Sequence, residues 1–122
     1  VINVRQHKLF RREGVNLRLD VPITFTQAAL GAEIDVPTLD GTVKYTIPEG
    51  TQTDTEFRIR GQGIPQLGSS QKGDLIFRVR VEIPKRLSDK QRELLQQFDE
   101  QSTGKEYEQR KGFFDKLKDL FN

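Results

Sequence analysis

Between Gly31 and Gly63 the chain reads GAEIDVPTLDGTVKYTIPEGTQTDTEFRIRGQG, and no other stretch restricts the possible folds as tightly. Ile34 and Val36, then Val43, Tyr45 and Ile47, then Phe57 and Ile59 occupy alternate positions among polar residues. A period of two sends successive side chains to opposite faces of an extended backbone, so these runs predict three half-buried strands. Asp40-Gly41 separates the first two. That dipeptide tolerates positive φ at both central positions of a tight turn and predicts a type I′ hairpin. Pro37 has no N–H to give to a ladder, which predicts a sheet edge or a bulge in its strand. Gly61-Gln62-Gly63 predicts a sharp bend after the third strand.

The flanking segments extend this pattern. Val1 to Gln6 reads as a short strand, and His7 to Gly14 as a polar turn anchored by Leu9 and Phe10. Leu17, Leu19, Val21 and Ile23 alternate with Arg18, Asp20 and Pro22, a further strand. Thr26 to Leu30 favours a short helix with Gly31 as its stop. Gly61 to Lys72 is a Gly-, Ser- and Gln-rich loop. From Asp74 the alternation is cleanest, with Leu75, Phe77, Val79, Val81 and Ile83 on one face and Arg78, Arg80 and Glu82 on the other. Ile76 interrupts the polar face and predicts partial burial there; Pro84 ends the strand. Ser88 and Gln91 form a capping box before a helix from Asp89 to about Gln101, whose narrow apolar stripe is Leu94, Leu95 and Phe98. Ser102 to Arg110 is polar and aperiodic, a linker. From Gly112, residues Phe113, Phe114, Leu117, Leu120 and Phe121 share one helical face.

Inventory then excludes much chemistry. His7 is the only histidine and there is no cysteine, so a Ser or Cys nucleophile would depend on an imidazole in a terminal connector, and no catalytic residue is assigned. The missing thiols also rule out disulfides and thiolate zinc sites. Calcium-loop spacing is absent, so no metal site is assigned. Asp115 and Asp119 lie one helical turn apart, but Lys116 and Lys118 accompany them, as on a solvated face. Gly61-Gln62-Gly63 lacks the third glycine of a phosphate-binding loop. Phe10, Phe25, Tyr45, Phe57 and Phe77 sit in or beside the apolar alternation, and most read as core. With 20 basic and 18 acidic residues and no block of like charge, nothing argues for nucleic acid, and the nearly neutral last helix argues against a membrane surface. No membrane span or signal peptide is visible, so the expected location is cytoplasmic. The 122 residues suit one small domain with an appendage; lacking methionine and opening within a strand-like run, they read as a fragment.

Three phrases in order, VPITFTQAALGAEIDVPTLDG, IPEGTQTDTEFRIRGQGIP and KGDLIFRVRVEIPKRLSDKQRELL, resemble the second C-terminal β-domain of DnaJ-type heat-shock co-chaperones. The resemblance runs from about Leu17 to Leu95. With the alternation, it implies a mainly β fold: a small β-sandwich-like domain with one short internal helix, followed by C-terminal α-helices. Residues 1–14 would be the last strand of a preceding β-domain with its connector, 15–86 the domain itself, 87–102 a dimerisation helix, and 103–122 a linker and amphipathic helix. The implied function is non-enzymatic: dimerising the co-chaperone and holding unfolded client polypeptides for transfer to a DnaK-class chaperone. By the family's internal repeat, Leu19, Val21, Ile34 and Val36 are the expected client-binding lining, at positions where an ordinary core also lies. Leu94, Leu95 and Phe98, with Phe113, Phe114, Leu117, Leu120 and Phe121, are the expected homodimer contact. Zinc is expected only in a cysteine-rich region upstream of this chain. Two other readings are a nucleic-acid-associated relative and a purely structural dimerisation module.

Overall fold

In the computed structural model, which describes residues 9–68 and 71–121, the alternating runs form two sheets. The elements are β1 (Phe10–Glu13), β2 (Asn16–Thr24), α1 (Phe25–Leu30), β3 (Ala32–Thr38), β4 (Gly41–Ile47), β5 (Glu56–Ile59), β6 (Leu75–Glu82), α2 (Asp89–Gln101) and α3 (Glu108–Phe121). Four strands lie in the order β1-β2-β6-β5, and β3 pairs with β4 in a second sheet of two. The central pair, β2 with β6, is parallel and joins Leu17↔Leu75 through Thr24↔Glu82; the other pairs are antiparallel. The chain divides into two compact units, Val1–Pro84 and Lys85–Asn122.

One core serves both sheets. Leu17, Leu19, Ile23, Leu75, Phe77 and Val79 from the larger sheet are buried with Ile34, Val36 and Ile47 from the smaller. Each such side chain contributes roughly 1.5–3 kcal/mol by leaving water. The rings of Tyr45 (β4), Phe57 (β5) and Phe77 (β6) meet at centroid distances of 5.1 to 5.3 Å, with Tyr45 edge-on to Phe77. This is the expected sandwich-like arrangement of strand-rich sheets with one short helix, followed by two helices.

Several local expectations change. The strand expected at Val1 to Gln6 lies outside the described residues. The segment read as a polar turn instead supplies β1, which pairs with β2 around Gly14-Val15; Gly14 takes φ 63°, and Phe10 is buried whereas Leu9 is exposed. Only Phe10 of this strand faces the core, so its alternation is too short to be recognised. The β3–β4 turn is centred on Leu39-Asp40, neither with positive φ, so it is not type I′. Thr38 is the cause: its hydroxyl donates to the Gly41 carbonyl at 3.0 Å and accepts from Asp40 N–H at 3.2 Å, closing the ladder one residue early. Pro37 sits in an unbroken register opposite Thr42, an edge without a bulge. Ile83 falls beyond the end of β6 and is exposed. Helix α3 begins at Glu108, inside the segment read as a linker.

Ile76 is buried more completely than the sequence suggested. Register sets it between Arg18 of β2 and Arg58 of β5 on the outer face. Arg18 is held by Glu13 and Glu56, both at 2.8 Å, and Arg58 by Asp74 at 2.6 Å. Arginine stems fixed at their heads can roof an apolar neighbour.

The loop after β5 is anchored by close approach of backbones. Ile64 N–H donates to the Val15 carbonyl at 2.8 Å, and beside it Gly63 N–H donates to the Gly73 carbonyl at 2.8 Å. A Cβ on Gly73 would stand 1.9 Å from the Val15 carbonyl oxygen, whereas one on Gly14 would meet open space. Gly73→Ala should therefore cost about 3 kcal/mol or more, because rigid backbone must move. Gly14→Ala should cost only about 1–2 kcal/mol, for the left-handed φ alone. Paired urea titrations of the two variants check the difference.

Candidate binding surfaces

β3 positions an open edge. Because Thr38 and Gly41 close a two-residue turn, theirs is a hydrogen-bonded pair, and bonding alternates from there. Val36 and Ile34 therefore bond to β4, while the backbone groups of Glu33 and Asp35 point away from it. Among the described residues, β3 pairs with no strand besides β4. Pro37 lies in the outward series and contributes no N–H there. The side chains of Glu33 and Asp35 are exposed, and Lys44 reaches Glu33 at 3.4 Å.

The four residues expected to line a client groove are brought together, but chiefly as core. Leu19, Ile34 and Val36 are buried and Val21 is half-buried against the same cluster. Backbone, more than these side chains, is what the β3 edge presents to solvent.

The outer face of the four-stranded sheet carries ion pairs, which the sequence signalled only as Arg and Asp at alternate positions. Asp20 accepts from Arg78 Nε at 3.2 Å and Nη2 at 3.3 Å, and Arg11 approaches it at 3.6 Å. Arg80 meets Asp54 at 3.0 Å. Hydrogen bonds from Arg78 hold the Asp20 carboxyl below the usual carboxylate range. Asp74 is lowered too, first by the Gly61 N–H at 3.2 Å and then by Arg58.

Helix α2 starts as expected: Ser88 Oγ accepts from Gln91 N–H at 3.1 Å, and Gln91 Oε1 accepts from Ser88 N–H at 2.9 Å. Neither α2 nor α3 has a buried residue. Leu94 and Phe98 are 52% and 54% exposed, and Leu95 is half-buried. On α3, Phe113, Phe114, Leu120 and Phe121 are exposed and Leu117 is half-buried. The α2–α3 connection is ordered by Glu106, which accepts from Thr103 N–H at 3.1 Å and from its hydroxyl at 2.9 Å.

Among the described residues no group of three or more His, Cys, Asp or Glu could hold a metal ion, and no helix is long and apolar enough to cross a membrane. His7 lies outside the described residues. Among the described residues the β3 edge is thus unpaired by a further strand, and α2 and α3 turn apolar side chains to solvent.

Comparison with known proteins gives the family. The DnaJ C terminal domain matches residues 1–84, and the chaperone protein DnaJ C-terminal region matches residues 90–122. The chain belongs to the DnaJ chaperone family, which is non-enzymatic. It is 59% identical to chaperone protein DnaJ of Ruminiclostridium cellulolyticum over 98% of this chain and 32% of the relative. Against the same protein of Acetivibrio thermocellus the identity is 55%, over 97% and 31%. For Clostridioides difficile it is 50%, over 99% and 32%. The chain thus spans about a third of the length of the curated relatives it matches.

The lowered carboxylates make a pH prediction. Unfolded, Asp20 and Asp74 protonate near pH 4, and the folded values lie below that. Their contribution to stability is therefore complete above about pH 4 and is lost as pH falls through the folded values. The urea midpoint should decline on acidification through this range. Asp20→Asn should be less stable at neutral pH and show a shallower acid decline, read from urea titrations across the same pH series.

Proposed function

We propose that this chain is the client-holding, dimerising end of a DnaJ co-chaperone, and that it holds clients by adding an extended segment to the open edge of β3. The supporting observation is the outward backbone of Glu33 and Asp35, which is unpaired with any strand among the described residues. Strand addition uses main-chain groups that every polypeptide has, so it accepts clients with little regard to sequence. Leu19, Ile34 and Val36 support that edge from beneath, and Val21 offers the remaining apolar surface. The bound segment would pass to a DnaK-class chaperone in the cytoplasm. Stimulation of that partner and zinc binding belong, on this reading, to regions upstream of this chain.

Asp35→Pro removes an outward N–H without touching the β3–β4 ladder, and edge strands tolerate proline. The variant should keep its fold and bind a labelled, permanently unfolded polypeptide about tenfold more weakly, since losing one backbone bond costs about 1 kcal/mol and the ring obstructs the edge. Val36→Ser should instead lower stability by about 2 kcal/mol or more. Fluorescence anisotropy with a folded control protein makes the measurement. Unchanged binding by Asp35→Pro would remove the β3 edge from the client site; no binding by the parent chain would leave a dimer joint alone.

The dimer contact of this proposal is α2, through Leu94, Leu95 and Phe98. A 13-residue helix with no buried side chain has little stability in isolation and gains it from a covering partner. Phe113, Phe114, Leu117, Leu120 and Phe121 were the other part of the expected contact, but the lysines bordering them oppose a second copy of α3. Leu94→Ser with Phe98→Ser should convert a dimer to a monomer at micromolar concentration in sedimentation equilibrium.

A further inference from the structure

Helix α3 carries Arg110, Lys111, Lys116 and Lys118 against Glu108, Asp115 and Asp119, which by count is nearly neutral. Counting hides how these charges are sorted. At about 100° per residue, Phe113 and Phe121 fall roughly 40° either side of Leu117, and Phe114 and Leu120 roughly 60°. Lys116 and Lys118 fall about 100° to either side, with Lys111 on the Lys118 margin. Asp115, Asp119 and Glu108 take the back, about 160–180° away. The apolar face is thus bordered by lysine on both margins, and the acids are as far from it as a helix allows. Phe113 is 61% exposed, Leu120 77% and Phe121 82%. At the head of the face, the Arg110 guanidinium lies over the Phe114 ring, 4.8 Å from its centroid.

We propose that α3 lies flat on an anionic phospholipid bilayer, its five apolar side chains in the acyl region and its marginal lysines at the depth of the phosphates. Charge complementarity selects this occupant. If two copies of α3 paired through this face, parallel or antiparallel, lysine would meet lysine along both seams. An anionic headgroup layer instead meets a cation on each side, and lysine stems are long enough to bring the ammonium up to it. The acids at the back remain in water, away from the lipid charge. Lying on the surface requires only this sided helix of 14 residues and not the length of a span.

The test is flotation of the 122-residue chain with vesicles of phosphatidylcholine alone or mixed with phosphatidylglycerol. The chain should float with the mixed vesicles. Lys116→Glu with Lys118→Glu should lose at least about tenfold in partitioning, because each reversal removes a cation from the anionic surface and puts an anion there. Phe113→Ser with Phe121→Ser should lose as much, with the melting of the β-rich unit unchanged. No flotation with phosphatidylglycerol would overturn the proposal, as would flotation indifferent to the lysine reversal. So would conversion of a dimer to a monomer by the Phe variant, which would give the face to a second copy. The α2 variant is read by sedimentation without lipid, so failure of the α2 dimer is distinguishable from failure of α3 on the bilayer.

Discussion

The β-rich unit depends on the packing of Tyr45 against Phe77, because among the described residues its two sheets share no ladder. β6 is hydrogen-bonded on both sides, to β2 and β5, and Phe77 projects from its middle fully buried. The β3–β4 hairpin is joined to this platform by side chains: Tyr45 on the rings, and Ile34, Val36 and Ile47 in the same cluster. A hairpin secured by one face keeps its peptide groups available along its rim. The means of attachment and the openness of the edge are therefore the same fact. Bonds from Gly50 N–H to the Ala29 carbonyl and from Thr51 N–H to the Ala28 carbonyl tie the connection after β4 to α1, limiting the hairpin's freedom without occupying that rim.

Much of this was legible because burial on one side forces a period of two. β2, β3, β4 and β6 each carry enough alternating positions to show it, and the Ser88 cap carries its own local signal. Edge status could be read from Pro37 because proline lacks a donor. The parallel partnership of β2 and β6 could not be read, since alternation says which side of a strand is apolar and nothing about which strand lies alongside. β1 was too short, with one buried residue. The Asp40-Gly41 turn was misread because the Thr38 hydroxyl competed with local turn preference. Gly73 carries no local signal, because what demands a glycine there is the backbone of Val15, distant in sequence. At the candidate site the alternation left Leu19, Val21, Ile34 and Val36 open to either groove or core, and the second sheet buries all but Val21, which stays half-buried.

Charge shows the limits of totals in another way. The balance of 20 basic and 18 acidic residues describes two unlike arrangements. Across the outer sheet face opposite charges alternate and satisfy one another, with Asp20 beside Arg78 and Arg18 between two glutamates. Along α3 they are separated by side. Neutral sums conceal a self-contained network in the first case and a polarised surface in the second.

Pro37 has a further consequence for anything that lies along β3. A strand laid along β3 would find outward N–H donors at Glu33 and Asp35 and then a pyrrolidine ring with none, so the run of donors stops after two residues. A docking strip this short of donors would cap the strength of any encounter and make departure fast. It also denies the long, uninterrupted template on which strands of many chains could stack into fibres. One imino acid would thus keep a strand-adding edge both reversible and finite.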